Sequence, residues 1–267
     1  MGYVWTPEQI DRYRKYYDDI RTHHTYTYVR FRTTERFVRS VLPPCLAPAD
    51  EPIATIGFMS FMEWIEGVSN RAGRDRAMII GVNAKHGAIE GSYYLTVLET
   101  EEVNIITGRE FWGMPKKLGT VDFFDDGEEF HGFASRKDFS LVELTASLGD
   151  QLPTTPEDEK EYYFDLRGYF GVNASDVTRP QLVVFENSTA TKRSRQITGA
   201  KLKLSGSSWD PGVSTIPLGE FIDGGHLGGE TSYIIKEVVE LENDGNDYTP
   251  YLMGRLYDDW PDVRSPR

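Results

Sequence analysis

Two adjacent lysines, Lys116 and Lys117, sit in the segment GREFWGMPKKLG, Gly108 to Gly119, among Phe111, Trp112, Met114 and Leu118. An ordinary lysine has a pKa near ~10.4, so at neutral pH only about one in a few thousand carries a free lone pair. Lowering that value by ~3–4 units requires roughly 4–5.5 kcal/mol, at ~1.36 kcal/mol per unit. Apolar burial and a second nearby cation both act against the ammonium form. The segment offers both, since apolar side chains can dry the site and Lys117 adjoins Lys116. Neighbours along an extended chain point to opposite faces, so burial is the larger expected cause. An amine activated this way adds to a ketone or aldehyde carbon to give an imine, whose protonated nitrogen withdraws electrons. Loss of CO2 from the β-carbon, or of a proton from the α-carbon, then leaves an enamine instead of a bare enolate. The plainer reading is an exposed turn, with Arg109 and Glu110 as an ion pair holding it.

Other polar residues are candidates to assist. Arg76, in GRDRAMIIGV, has the planar fork that binds a carboxylate in two places; otherwise it is a solvated turn residue. His24 is a candidate acid or base because imidazole titrates near neutrality. Its THHT setting after a helix equally fits a C-terminal cap against the helix dipole. His226, in DGGHLGGE, is expected in a turn, and that stretch lacks the Lys-Ser/Thr ending of a phosphate loop. His86 and His131 have no metal-ligand spacing, and runs such as EDEKE and DDGEE read as solvated loops. No metal or other cofactor is expected. Cys45, the only cysteine, excludes an intrachain disulfide and has no local base to activate it.

The elements that must position these residues are mostly strands. TPEQIDRYRKYYDDIRTHH reads as a helix over about residues 6–22, with Thr6 as N-cap and Pro7 in the first turn. TYTYVRFRT alternates like a strand, and ERFVRSVLP is a short helix ended by Pro43 and Pro44. From Ile53, apolar and aromatic runs follow one another, including RAMIIGVNAKH, GSYYLTVLET, VNIITG and FSLVELTASL. Asp125, Asp126 and Gly127 mark a hairpin turn. LPTTPEDEKEYYFDLR reads as a loop in its polar first part, QLVVFENSTATKRSRQITGAKLKLSGSS as two strands, and SYIIKEVVELEND as a late strand or helix, its β-branched content favouring strand. The tail, about residues 243–267, reads as irregular. Strands at this spacing predict an α+β fold of one domain over 1–267, mainly antiparallel β, with peripheral helices.

Bulk properties narrow the partners. The 267-residue chain has a formal net charge of −13, which disfavours nucleic acid and anionic membranes. No apolar run reaches the ~20 residues of a membrane helix, and the first residues show no signal-peptide core. Cytoplasmic residence is expected.

The lysine segment closely resembles the signature of the acetoacetate decarboxylase family, Gly-Arg-Glu, four residues, Pro-Lys-Lys-Leu. Weaker similarity extends over about residues 25–240, through GSYYLTVLETEEVNIITGRE and PQLVVFENSTATKRSRQITGAKLKLSGSSWDP. Acetoacetate decarboxylase is itself the standard example of an activated lysine. The resemblance implies that Lys116 forms the Schiff base with Lys117 as its neighbour; Phe111, Trp112 and Met114, by their own apolar character, are its expected pocket. It implies a large closed β-barrel or cone-like sheet around an apolar cavity, usually in a homo-oligomer. Acetone-producing members carry an arginine where His24 falls here. Their two upstream glutamates map near Gly57 and Arg76, so Asp75, Glu63 or Glu66 would have to serve.

Three functions follow for a small-molecule oxo acid or other carbonyl substrate. The first is decarboxylation of a β-keto acid through Lys116. The second is aldol condensation, dehydration or cyclisation of an oxo acid or polyketide-like substrate in secondary metabolism. The third is a non-catalytic protein that binds an apolar ligand in the same cavity.

Overall fold

In the computed structural model, the described residues are 3–18, 21–64, 74–154, 159–171 and 176–256. Glu66, positions 19–20 of the expected first helix and the tail beyond residue 256 lie outside them. Helix α1 (Pro7–Asp18) leads to β1 (Arg21–Arg32). The THHT stretch is therefore strand, and His23 and His24 cap no helix. Helix α2 (Glu35–Val41) starts where the Thr34 side chain accepts from the Phe37 amide, which satisfies one of the amides that a helix start leaves unpaired. Strands β2 (Ala47–Pro48), β3 (Ile53–Trp64), β4 (Arg74–His86) and β5 (Ile89–Glu99) follow.

The VNIITG run, expected as a strand, is helix α3 (Glu102–Thr107), continued by a π-helical turn over Gly108–Trp112. The reason is topological. Strand β6 (Lys116–Leu118) pairs parallel to β5, so the chain must travel back along the sheet before β6 begins. A short helix makes that return and buries Asn104 and Ile105, which overrides the β-branched propensity of the run.

Strands β7 (Thr120–Asp125), β8 (Glu129–Arg136) and β9 (Phe139–Gln151) form a meander. Its first turn has Gly127 at φ +90°, a conformation glycine adopts without steric cost. Strand β10 (Glu159–Phe170) begins inside the segment expected to open as a loop. The two expected strands after it are one, the 28-residue β11 (Val177–Leu204), with irregularities at Val184/Phe185 and Thr191/Arg193. Strand β12 (Phe221–Glu240) includes His226, which therefore sits in a ladder and not in a turn. The tail contains helix α4 (Thr249–Leu256).

Together the strands form one large mixed sheet in the order β10-β5-β4-β3-β1-β12-β11-β9-β8-β7, with β6 beside β5 and β2 beside β4. Most pairings are antiparallel, but β10 and β6 both run parallel to β5. Strand β10 also pairs with β11, so the pairings from β10 through β5 and β12 return to β10.

The two faces of this sheet have different duties. On β1, Val29 and Phe31 enter the main core, while His24, Tyr26, Tyr28 and Arg30 face a cavity. On β4, Met78, Ile80 and Val82 are core, while Ala77, Ile79 and Gly81 line the cavities. This is the two-residue period of a strand. Among the described residues no helix is long and apolar enough to cross a membrane.

Candidate active site

The register of β6 on β5 fixes the two lysines. Lys116 lies opposite Val97 and Lys117 opposite Leu98. Val97 lines a cavity, whereas Leu98 is core, so the two side chains leave the strand on opposite faces.

Lys116 enters a cavity of about 110 Å³ whose walls include Met59, Phe61, Val97, Trp112, Met114 and Tyr233. Its Nζ lies 2.7 Å from Glu99 Oε1, and the two side chains are 12% and 3% exposed. The ammonium also donates to the Asn104 carbonyl at 3.3 Å. Glu99 is two residues beyond Val97 on β5, so it shares Val97's face. Burial pushes the Glu99 carboxyl above the usual carboxylate range; Asp75 and Glu63 add to this, and the Lys116 charge opposes it. The second oxygen, Oε2, is buried with no hydrogen-bond partner among the described residues. Glu63 lines the same cavity, and burial raises it too, against the pull of Lys116.

Asp75 anchors this arrangement from beneath. It is fully buried. Its Oδ1 accepts from the Thr100 amide at 3.1 Å and the Thr100 hydroxyl at 2.8 Å, and its Oδ2 accepts from Asn104 Nδ2 at 2.8 Å. Asn104 is thereby held with its carbonyl towards Lys116. Arg109 donates to the Lys116 carbonyl at 3.4 Å.

Gly108 packs directly on the Lys116 stem, where an added Cβ would overlap Cδ and Cε. The Gly108 backbone is ordinary right-handed helix, φ −62° and ψ −39°, so alanine fits its conformation and only the lysine must move. Gly108→Ala is expected to keep the fold and displace the Lys116 side chain from Glu99. Circular dichroism and a structure of the variant together check this.

Several residues expected at the site lie elsewhere. Lys117 points away and pairs with Asp210 at 3.0 Å, so it adds no second cation to the cavity. Arg136 completes that cluster at 2.8 Å from Asp210, with the three side chains 11%, 4% and 9% exposed. Asp210→Ala leaves two buried cations without their carboxylate and is expected to destabilise the protein by about 3–5 kcal/mol, measured by denaturant unfolding. Arg76 follows Asp75 on β4 and so faces outward, paired with Asp122 and set over the Phe123 ring. Phe111 and Leu118 are 40% and 60% exposed, and Glu110 is exposed on the π-helical turn. Trp112 and Met114 are the members of the expected pocket that line it.

His24 lines a second chamber of about 200 Å³, which shares Met59, Ile79, Tyr94 and Tyr233 with the lysine cavity. Burial lowers the His24 imidazole below its ordinary value, which favours the neutral ring. His226 lies between Thr27 (Nδ1 to Oγ1, 2.8 Å) and Asp125 (Nε2 to Oδ2, 3.3 Å), outside the walls of both cavities. Glu99 and Asn104 were not singled out from the sequence. The available signal was the end of GSYYLTVLE, where Glu99 continues the face of Val97. Among the described residues no group of three or more His, Cys, Asp or Glu is placed to hold a metal ion.

The mostly-β mixed sheet is similar to that of solved acetoacetate decarboxylase structures. The structure of acetoacetate decarboxylase from Legionella pneumophila superposes with a TM-score of 0.72 at 17% identity, over 86% of this chain and 88% of that one. The enduracididine biosynthesis enzyme MppR, solved with the condensation product of pyruvate and imidazole 4-carboxaldehyde, superposes at 0.68 with 16% identity, over 84% and 89%. At these identities the likeness is one of fold. The sequence supplies the family: the acetoacetate decarboxylase family model matches residues 4–240, and the chain belongs to that family. Acetoacetate decarboxylase 3 of Mesorhizobium japonicum is 28% identical over 107 residues, which are 40% of this chain and 40% of that protein's length.

Proposed function

We propose that this chain is a lyase in which Lys116 forms an imine with a β-keto acid and promotes its decarboxylation. The observation that carries this reading is the 2.7 Å contact between the buried Lys116 Nζ and Glu99 Oε1. In a dry site an ammonium–carboxylate pair is costly to keep charged. Glu99, whose carboxyl burial already favours in its protonated form, takes the proton and leaves a neutral amine. The amine attacks the keto carbon, and Glu99 returns the proton as the carbinolamine loses water. The bond to the substrate carboxylate then breaks, its electron pair runs to the iminium nitrogen, and CO2 leaves. Protonation of the enamine carbon, for which Glu63 is the other carboxyl on the cavity wall, and hydrolysis of the imine restore the lysine. The substrate carboxylate sits among acidic groups, which raises its energy before CO2 is lost.

The second chamber favours a second reading, in which the enamine attacks an aldehyde acceptor and water is lost. The space beside the lysine cavity is larger than acetoacetate requires, and MppR, with its condensation product, shares the fold. Both readings place the site inside a barrel-like wall of strands. They also take the protein as a cofactor-free cytoplasmic homo-oligomer, by resemblance to its family.

Borohydride reduction in the presence of acetone tests the imine and is expected to add one reduced isopropyl group to Lys116, seen by peptide mass. CO2 release from acetoacetate or a longer β-keto acid identifies decarboxylation. A new C–C bond with loss of water identifies condensation. No adduct with any carbonyl compound would leave only ligand binding.

A further inference from the structure

The second chamber has a composition that the proposed chemistry does not use. Its walls carry five tyrosines, Tyr26, Tyr28, Tyr94, Tyr163 and Tyr233, and two ordinarily charged residues, Arg30 and Glu161. Arg30 is already neutralised, since its Nε and Nη2 both donate to the Asp223 carboxylate. Glu161 is exposed and forms no ion pair among the described residues, and its Oε2 accepts from the Tyr163 hydroxyl at 2.7 Å. With Asp223 counted, Arg30, Asp223 and Glu161 sum to one negative charge beside the tyrosine rings, of which Tyr28 already has the Arg30 guanidinium 6.0 Å from its centroid.

The rings are packed as a set. Tyr94 and Tyr163 have centroids 5.1 Å apart, and Tyr26 and Tyr28 are stacked at 5.5 Å. The backbone makes room for them: a Cβ at Gly57 would overlap the Tyr26 ring. His24 adds a sign of an unmet ligand. It is 8% exposed, faces the chamber, and its Nδ1 has no hydrogen-bond partner among the described residues. Aromatic faces and a carboxylate attract a cation together, the rings through their quadrupoles and the carboxylate directly.

We infer that the tyrosine chamber is a cation subsite, and that the substrate is an oxo compound whose distal end carries an ammonium or similar cationic nitrogen. This rests on the Lys116 reading for the carbonyl end, because the two cavities share walls. A second anionic group at the distal end would face Glu161 and be disfavoured.

Three ketones of matched length test it: 5-(trimethylammonio)pentan-2-one, its neutral isostere 6,6-dimethylheptan-2-one, and 5-oxohexanoate. The readout is the concentration that gives half-maximal borohydride trapping on Lys116, with acetone as the small-carbonyl reference. The cationic ketone is expected to trap at about tenfold lower concentration than the neutral one, the size of a partly desolvated cation–aromatic contact, and the anionic ketone at the highest of the three. Glu161→Gln is expected to shrink the cation-to-neutral ratio, each variant serving as its own reference. Any other order, or a ratio unchanged in Glu161→Gln, overturns the subsite; if that variant does not fold, the wild-type order decides. If acetone itself fails to trap, the imine reading falls alone. The same three ketones are then ranked by calorimetric binding, where the same order supports the subsite and any other order overturns it.

Discussion

Replacing Lys116 by arginine is expected to abolish turnover while leaving the protein folded. The guanidinium keeps a positive charge opposite Glu99, which the native lysine meets at 2.7 Å, so the buried carboxyl retains a partner and the sheet has no reason to open. What is lost is the amine, because arginine stays protonated at any pH the protein tolerates and cannot add to a carbonyl. A loss of at least about 10⁴-fold in kcat is expected, equivalent to about 5.5 kcal/mol of transition-state stabilisation at ~1.36 kcal/mol per tenfold. Borohydride should leave this variant unlabelled. Lys117→Arg is the matched control, since Lys117 pairs with Asp210 on the other face and its replacement keeps that charge. It should retain activity within about tenfold, the span of ~1.36 kcal/mol. Turnover by Lys116→Arg near that of the native protein would remove the imine mechanism.

The sequence exposed local pattern and hid long-range registry. The lysine segment stood out because charges and large apolar groups rarely share so few residues. Alternation in TYTYVRFRT and RAMIIGVNAKH, read with the burial of β1 and β4, marks strands with two distinct faces. The partner of Lys116 could not be read the same way. Glu99 precedes it by a helix and a turn, and they meet only because β6 lies parallel to β5. Arg76 and Asp75 were both visible, but the face each takes depends on the phase of β4, which puts the aspartate under the site and the arginine outside. VNIITG failed as a strand because the parallel return demands a helix there. QLVVFENSTATKRSRQITGAKLKLSGSS read as two strands, yet one strand runs through it with an irregularity at Thr191/Arg193. Glycines around His226 suggested a turn, but they lie in the β12 ladder, packed against Tyr28, Ala190 and the Arg193 side chain.

Glu99→Gln is expected to lower kcat by about 10²–10³-fold, within the range for loss of a positioned proton carrier, and to change the pH profile in a way that simple repacking would not. The amide can still accept a hydrogen bond from Lys116, but it can neither take the ammonium proton nor return it to the carbinolamine. In the native protein, burial raises the Glu99 carboxyl above the ordinary value, with help from Asp75 and Glu63 and against Lys116. Falling pH therefore protonates it, and removes the proton acceptor, at a higher pH than an exposed glutamate would require. The acid limb of kcat/KM is expected above the usual carboxylate range. In Glu99→Gln that limb should disappear, and the residual rate should climb with pH as solvent base replaces the side chain. Stability carries the same sign. A raised carboxyl means the folded state binds the proton more tightly than the unfolded chain, so this group's contribution is full below the unfolded pKa and is lost as pH rises through the folded one. Denaturant unfolding of the native protein and Glu99→Gln across that window should diverge as pH rises, with the native protein losing stability that the variant does not. An unchanged acid limb, with kcat within a few-fold of native, would mean that Glu99 only fills space beside the lysine and that the proton leaves by another route.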